Sequence, residues 1–234
     1  MTSSRMVIAS RPMNQQDPKD LFVFPEWTNW IRPLAAIGGI GGAVYAVVFI
    51  WFGLSPKTLN VGYQPEQPVP YSHELHAGQL GIDCRYCHTT VDKAAYAAIP
   101  PTETCMNCHA SIRADSEKLE LVRESAKTGE PIPWVKVHDL PDYVFFDHSA
   151  HVTRGVGCVE CHGRVDTMEV VRQTEPLSMS WCLDCHRDPA TRIRPPDQVV
   201  NMDWSPDGDR EAFGQRLMEE RNLHPSQDCW TCHR

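Results

Sequence analysis

A single pattern, Cys-x-x-Cys-His, occurs five times in this 234-residue chain and accounts for all ten of its cysteines. In every copy the two cysteines are three positions apart and a histidine follows the second directly. This invariance indicates one kind of chemistry repeated along the chain. The copies are Cys84, Cys87 and His88; Cys105, Cys108 and His109; Cys158, Cys161 and His162; Cys182, Cys185 and His186; and Cys229, Cys232 and His233.

The spacing matches the chemistry of covalent haem attachment. Thiols three positions apart reach the two vinyl groups of one porphyrin and form thioethers, and the next histidine lies under the iron as its proximal ligand. A zinc ribbon combines two Cys-x-x-Cys pairs in one site, so five pairs would leave one over. Disulfide bonds explain neither the spacing nor the histidine. The sequence therefore predicts five covalently bound c-type haems.

Six histidines lie outside the motifs, and four of them form two His-x-x-His pairs, each ahead of a motif. In one pair the first histidine precedes the next motif by 11 residues, and in the other by 10. A second motif follows in both cases. These matching offsets predict a duplicated two-haem unit, at about 71–110 and 146–187, with a fifth haem motif at 229–233. The candidates for distal iron ligands are His73, His76, His148, His151 and the isolated His138.

Methionine competes with histidine as an axial ligand of iron. Met179 stands three residues before Cys182, which makes it a candidate distal ligand, and Met168 is a second. A methionine ligand would raise the reduction potential of that haem relative to its bis-histidine neighbours. His224 is only five residues before Cys229, too close in sequence to bend over the iron of that motif.

The aromatic-x-His-x-x-His element ahead of each repeated motif resembles the small class III multihaem cytochromes. In those proteins one histidine of the pair ligates the adjacent haem and its neighbour reaches a different one. The resemblance implies that His73 caps the haem on Cys84 and that His148 caps the haem on Cys158. It implies that His76 and His151 each reach across to another haem.

A membrane anchor is predicted over residues 33–54, a run without charged residues that is long enough to cross a bilayer as one helix. The run starts too far from Met1 and is too long for a cleaved signal peptide. Basic residues before it place residues 1–32 in the cytoplasm as a polar tail. Residues 55–234 then form an extracytoplasmic haem domain, on the side where covalent haem attachment is completed.

Composition predicts a mostly α-helical and irregular chain: one transmembrane helix and a loop-rich multihaem domain. Prolines number 19, and long apolar periodic runs are scarce outside the anchor. The net charge of −8 argues against nucleic acid as a partner. We expect haems to fill the interior, so the haem-free outer domain should be largely unfolded. Helices are predicted at 111–130 and 208–222, an extended linker at 55–70 and a wrapping loop at 188–207.

The anchor, the five motifs and the repeat together resemble the pentahaem subunit of alternative complex III, a bacterial quinol:electron-acceptor oxidoreductase. The segments 137–151 and 176–187 carry most of the likeness. The resemblance implies a place in the bacterial inner membrane and electron relay without catalytic bond chemistry in this chain. It also implies an iron–sulfur protein, polytopic quinol-binding subunits and a monohaem cytochrome c as partners.

Two other functions fit parts of the pattern. Anchored quinol dehydrogenases of the tetrahaem type also combine one helix with several haems, but they place a methionine two residues after the first haem histidine, where this chain has Thr90. A multihaem reductase needs an iron with an open distal side. If all five irons are capped on both faces, no open site is left.

Overall fold

Short helices joined by irregular loops make up the computed structural model of this protein, which describes residues 24–54 and 60–233. Within those residues there is no β-strand; two isolated bridges join Val144 to His233 and Val156 to Ile193. This confirms the predicted mostly helical and irregular fold class. The α-helices are α1 Ile31–Phe49, α2 Cys84–Cys87, α3 Thr102–His109, α4 Glu120–Thr128, α5 His148–Val152, α6 Val159–His162, α7 Met179–Arg187, α8 Arg210–Arg221 and α9 Cys229–Cys232.

The N-terminal helix forms a compact unit separate from the rest, with the boundary between Trp51 and Phe52. A 3₁₀ turn at Glu26–Trp30 leads into α1, and a π-helical turn at Ile50–Leu54 follows it. This continuous helix of 29 residues is long and apolar enough to cross a membrane. It begins before the predicted boundary at residue 33, and residues 1–23 of the predicted tail lie outside the described residues.

Each Cys-x-x-Cys-His motif lies on a short helical turn, as expected from the i, i+3 spacing of its cysteines. Polar residues just before several of these turns cap them. Asp83 accepts a hydrogen bond from the Arg85 amide, and Ser178 accepts one from the Trp181 amide. Such caps satisfy amides that have no partner inside the helix. Turns of only four residues are not stable by themselves, so their positions depend on what they attach to.

Buried apolar residues are few in the haem domain. Val69, Val122 and Ile132 form one cluster, beside the second motif. The other buried apolar residues among those described are Met168, Ala190, Ile193, Val199 and Leu223. This sparse core agrees with the expectation that another group fills the interior.

The connecting segments follow the sequence prediction in part. The helix α8 occupies the predicted 208–222, and residues 188–207 form an irregular loop with two 3₁₀ turns. The single helix predicted over 111–130 is wrong, because Arg113 takes a left-handed φ of 55° and ends the helical path before α4 begins. In the predicted linker, residues 60–70 are non-helical and residues 55–59 lie outside the described residues.

Candidate haem-ligand site

Three pairs of histidine rings face each other at a common distance. The ring centres are 6.2 Å apart for His76 and His109 and 6.1 Å apart for His151 and His186. For His148 and His162 the distance is 6.4 Å, with the ring planes only 12° apart. Each pair joins a motif histidine to a histidine from one of the upstream His-x-x-His elements.

These distances are those of two imidazoles on opposite sides of one metal ion. A metal–nitrogen bond of about 2.0–2.1 Å on each side, plus about 1.1 Å from each nitrogen to its ring centre, separates the ring centres by about 6.2 Å. The aromatic rings of Tyr71 and Phe146, which pack directly on the histidines of the His-x-x-His elements, lie closer, with ring centres 4.4–4.8 Å apart. The three pairs therefore fit haem irons that are capped on both faces.

The second nitrogen is already engaged in five of these six rings and in the motif histidine His88. In six histidines Nδ1 lies 2.6–2.9 Å from a backbone carbonyl oxygen, and in His233 the distance to the Tyr143 carbonyl is 3.2 Å. A carbonyl only accepts, so Nδ1 carries the proton and Nε2 keeps a lone pair for a metal. The six contacts are His76 to Ser72, His88 to Ala98, His109 to Ile112, His148 to Ala95, His151 to Asp147 and His186 to Ser226.

His73 lies in the same buried region as His88, the histidine of the first motif. Burial is the largest cause that lowers the pKa of His73 to about 4, and the nearby His88 and His76 add to the effect. Its Nδ1 atom is buried and has no hydrogen-bond partner among the described residues. His73 is thus held as a neutral imidazole, the form that binds iron.

His138 has a different environment from the other candidates. Its ring centre is 4.4 Å from that of His162, in an edge-to-face contact that is too short to hold an iron between the rings. Its Nε2 atom is buried, and no residue in the described part of the chain forms a hydrogen bond with it. Burial, and after it His138, His148, His88 and His73, lower the pKa of His162 to about 3. Five histidines therefore crowd the region of the first and third motifs.

The fifth motif lies at the C-terminal end, where the Phe145 amide donates a 2.6 Å hydrogen bond to the Cys232 carbonyl. Among rings of the described residues, Tyr143 lies 6.0 Å from His233. His224 is exposed, with Nε2 3.0 Å from the Asn222 Oδ1 atom. No described imidazole is seen to face His233 at the distance of the three pairs.

The two candidate methionines differ in exposure. Met179 is 66% exposed on the first turn of α7, one turn before Cys182. Met168 is 3% exposed and belongs to the core, where its carbonyl accepts a hydrogen bond from the Glu74 amide. Met179 therefore stays available as a ligand, whereas Met168 serves packing.

The cysteines are unpaired, and burial is the main cause that raises the thiol pKa to about 12 for Cys161 and to about 11 for Cys84. Burial of this kind keeps the free thiols protonated and unreactive. Among the described residues, no group of three or more His, Cys, Asp or Glu side chains is arranged to hold a metal ion. A haem iron needs only two axial donors, so this set of donors fits haem and not zinc.

The carbonyl groups that orient the imidazoles were not predicted from the sequence. The acceptors at Ala95, Ala98, Ile112 and Ser226 come from loops and helix ends with no common side chain. Backbone atoms leave no residue-type signal, so no sequence pattern could have revealed them. Two side chains near the third motif, Arg194 and Glu160, were also missed, and they join in a buried ion pair.

Comparison with known proteins agrees with these features. The model of the class III cytochrome c family matches residues 55–139, and that of cytochrome c7 and related cytochromes c matches residues 144–234. The "menaquinone reductase, multiheme cytochrome c subunit" of Nitratidesulfovibrio vulgaris is 36% identical over 200 residues, covering 82% of this chain and 87% of the relative. These matches confirm two class III or c7-type cytochrome domains, and with them haem c as the cofactor.

Proposed function

Because the chain belongs to the family of multihaem c-type cytochromes that includes this menaquinone reductase subunit, we propose that it relays electrons through five haems. The electrons pass between a quinone-binding partner in the membrane and an electron carrier outside it. The observation that carries the proposal is the set of imidazole pairs 6.1–6.4 Å apart. An iron capped by two imidazoles exchanges electrons but has no position left for a substrate.

The proposed ligand sets follow from the geometry and the repeat. His109, His162 and His186 bind iron on the motif side, opposite His76, His148 and His151 respectively. By correspondence between the repeats, His73 caps the iron of His88. Met179 is the candidate for the iron of His233, and His138, whose ring lies 4.4 Å from that of His162, is a candidate ligand without an assigned iron. The ten motif cysteines hold the porphyrins as thioethers.

Haem c, when bound, supplies a one-electron carrier. The chain's own contribution is to fix the position and the protonation state of each ligand. Carbonyl acceptors hold Nδ1–H in six of the ligands and keep those rings in one orientation, and burial keeps His73 and His162 neutral. No residue of this chain is assigned a role in making or breaking bonds of a substrate.

The N-terminal helix is proposed as the membrane anchor, with the N-terminus in the cytoplasm and the haem domain in the periplasm of a bacterial cell. Gly38 and Gly42 lie four positions apart on α1, and no other segment of residues 24–54 and 60–233 comes within 4 Å of the place where a side chain would begin. Small residues at this spacing allow close packing of a second transmembrane helix. We therefore propose a polytopic quinone-binding subunit as the partner there, with an iron–sulfur protein and a monohaem cytochrome c completing the assembly.

Two directions of electron flow are compatible with one relay. The name of the relative in Nitratidesulfovibrio vulgaris favours delivery of electrons to menaquinone. The resemblance of residues 137–151 and 176–187 to the alternative complex III subunit favours withdrawal of electrons from a quinol. A tetrahaem-type quinol dehydrogenase also runs in the second direction. The haem ligands proposed above serve either direction.

Purification of the intact complex tests the proposal. A tag on this chain should copurify membrane subunits, and the complex should carry electrons between a soluble cytochrome c and a menaquinone analogue. Faster reduction of the quinone by reduced cytochrome would identify a menaquinone reductase, and faster reduction of cytochrome by quinol would identify the alternative complex III type. A chain that purifies alone and reduces a substrate such as nitrite would overturn the relay proposal.

A further inference from the structure

An open cavity of about 310 Å³ lies beside the third motif, and we propose that it binds a small oxyanion such as inorganic phosphate. Its lining includes Glu160, Arg192, Arg194, Trp204 and Arg210. Three guanidinium groups against one carboxylate leave two positive charges in the lining, although the chain as a whole has a net charge of −8. The volume is at the lower end for small-molecule sites, which begin at about 300 Å³.

The lone carboxylate already has two partners. Glu160 Oε1 accepts hydrogen bonds from Arg194 Nη2 at 2.6 Å and from Arg210 Nη2 at 2.8 Å. Arg194 Nη1 also donates to the Asn201 carbonyl at 2.9 Å, and its guanidinium lies 5.3 Å from the Trp204 ring centre. Glu160 thus fixes two of the arginines in place while neutralising only one positive charge.

Unused hydrogen-bond donors remain in the lining. The Arg194 side chain is 1% exposed, and its buried Nε atom has no hydrogen-bond partner within residues 24–54 and 60–233. Arg192 makes no ion pair in the part of the chain that the structure describes; its guanidinium lies 5.9 Å from the Trp181 ring centre. The Arg192 guanidinium therefore offers the cavity donors that no ion pair among the described residues occupies, and the site favours a ligand that accepts hydrogen bonds. Guanidinium forks match the oxygens of phosphate and carboxylate groups.

Gly157 creates the room for this arrangement. A Cβ atom added there would lie 2.3 Å from Arg194 Nε and Cζ, so any larger residue would displace the guanidinium. The glycine directly precedes Cys158, and the displaced group would separate from Glu160. The position of Arg194 therefore depends on a residue adjacent to the haem motif.

The cavity is on the wrong side of the motif to hold a haem propionate of the third haem. Val159 and Glu160, which line it, are the two residues between Cys158 and Cys161. Cysteines attach at the vinyl edge of a porphyrin, whereas the propionates are at the opposite edge. The propionates of the third haem therefore do not reach the cavity, and a propionate of another haem there would block phosphate in the titration described below. The charge of a bound phosphate would lower the reduction potential of the neighbouring haem by Coulomb interaction.

The test uses the haem-loaded complex at constant ionic strength, with phosphate titrated calorimetrically against chloride as the balancing salt. We expect saturable binding of one phosphate, with a Kd of about 1 mM or tighter. In the variant Arg192→Gln, we expect phosphate binding at least about tenfold weaker, equivalent to about 1.4 kcal/mol. The matched control is Arg187→Gln, an exposed arginine 3.6 Å from Asp184, which should bind phosphate as the wild type does.

A second readout is the potential of the haems. Phosphate should shift one midpoint potential downwards in the wild type and in Arg187→Gln, and much less in Arg192→Gln or Gly157→Ala. Equal phosphate affinity in Arg192→Gln and Arg187→Gln would overturn the proposal. So would a weak effect of phosphate that does not saturate, which would show an adventitious ion only. A structure of the complex in which another subunit fills the cavity would overturn it as well. Haem content and cytochrome-to-quinone electron transfer should persist in Arg192→Gln, so failure here is distinguishable from failure of the relay.

Discussion

The two repeated units hold their histidines in nearly the same way. Tyr71 stacks on His76 with ring centres 4.4 Å apart, and Phe146 stacks on His151 at 4.6 Å. Both aromatic rings meet the first histidine of the pair edge to face, at 4.8 Å and at 85° or 86°. In both units the second histidine donates from Nδ1 to the carbonyl four residues earlier. The ligand geometry is thus duplicated along with the motif.

The helix that carries the paired histidines differs between the units, because the first unit has one more residue between its first histidine and its first motif cysteine. There the chain forms a π-helical turn at Glu74–Gln79, whereas the second unit has the α-helix at His148–Val152. The Ile82 amide bonds the His76 carbonyl, and the Val156 amide bonds the His151 carbonyl, both at 3.0 Å. The hydrogen bond that ends the turn therefore spans six residues in the first unit and five in the second. Ligand position is preserved between the units, while the helix type adapts to chain length.

The largest expected effect comes from removing haem from both units. Expression without covalent haem attachment should abolish the cooperative unfolding transition of the outer domain, because only eight apolar side chains are buried in the described residues. Far-ultraviolet circular dichroism of the haem-free protein with and without denaturant checks this. The helix of residues 26–54 provides an internal control, since its helical signal should persist in detergent. A sharp transition in the haem-free domain would contradict a fold that depends on haem.

Next in size is removal of one distal ligand from each unit. His76→Ala and His151→Ala should each convert one haem equivalent from low spin to high spin, because one face of the iron loses its imidazole. Electron paramagnetic resonance of the oxidised protein measures the change. His224→Ala is the matched control, since that side chain is exposed and engaged with Asn222. If the two variants left the low-spin signal intact, the pairs would not be iron ligands.

A smaller difference, in the stability cost of a substitution, is expected at the glycine that follows each helical turn. Gly81 has φ +66° and open space where a side chain would begin, so Gly81→Ala should cost about 1–2 kcal/mol. Gly155 has φ +91°, and an added Cβ would lie 2.1 Å from the Arg194 carbonyl oxygen, so Gly155→Ala should cost about 3 kcal/mol or more. Denaturant unfolding of the haem-loaded protein measures both. Equal costs would show that the second unit tolerates a shift of the Arg194 backbone.

The smallest effect is expected from making the aromatic residues alike. Tyr71→Phe gives the first unit the residue of the second and keeps the ring that stacks on His76. We expect a stability change within about 0.5 kcal/mol and an unchanged low-spin signal. Thermal unfolding and spectra of the variant check this, with Tyr71→Ala as the contrasting substitution that removes the ring. A large loss in Tyr71→Phe would assign the hydroxyl group a role that the repeat does not suggest.

The sequence predicted the haem motifs, the helical turns beneath them and the duplication, because each depends on residue type at fixed spacing. It also identified His76 and His151 as candidate ligands. Which motif histidine faces each of them becomes known only from the folded structure, because the two rings come from segments that are distant in sequence. It could not predict the position of His138, since a lone histidine has no periodic signal, and it missed the turn at Arg113. The buried Arg194 also escaped prediction, because its partner Glu160 is 34 residues away.

The positions of the irons in an experimental structure of the haem-loaded protein, located by their anomalous scattering, decide whether the facing imidazoles are ligand pairs. We predict an iron midway between the rings of each pair, about 2 Å from both Nε2 atoms: His76 with His109, His148 with His162, and His151 with His186. Irons that bind only the motif histidines, with water or an open face opposite, would refute the pairing and with it the relay of fully capped haems.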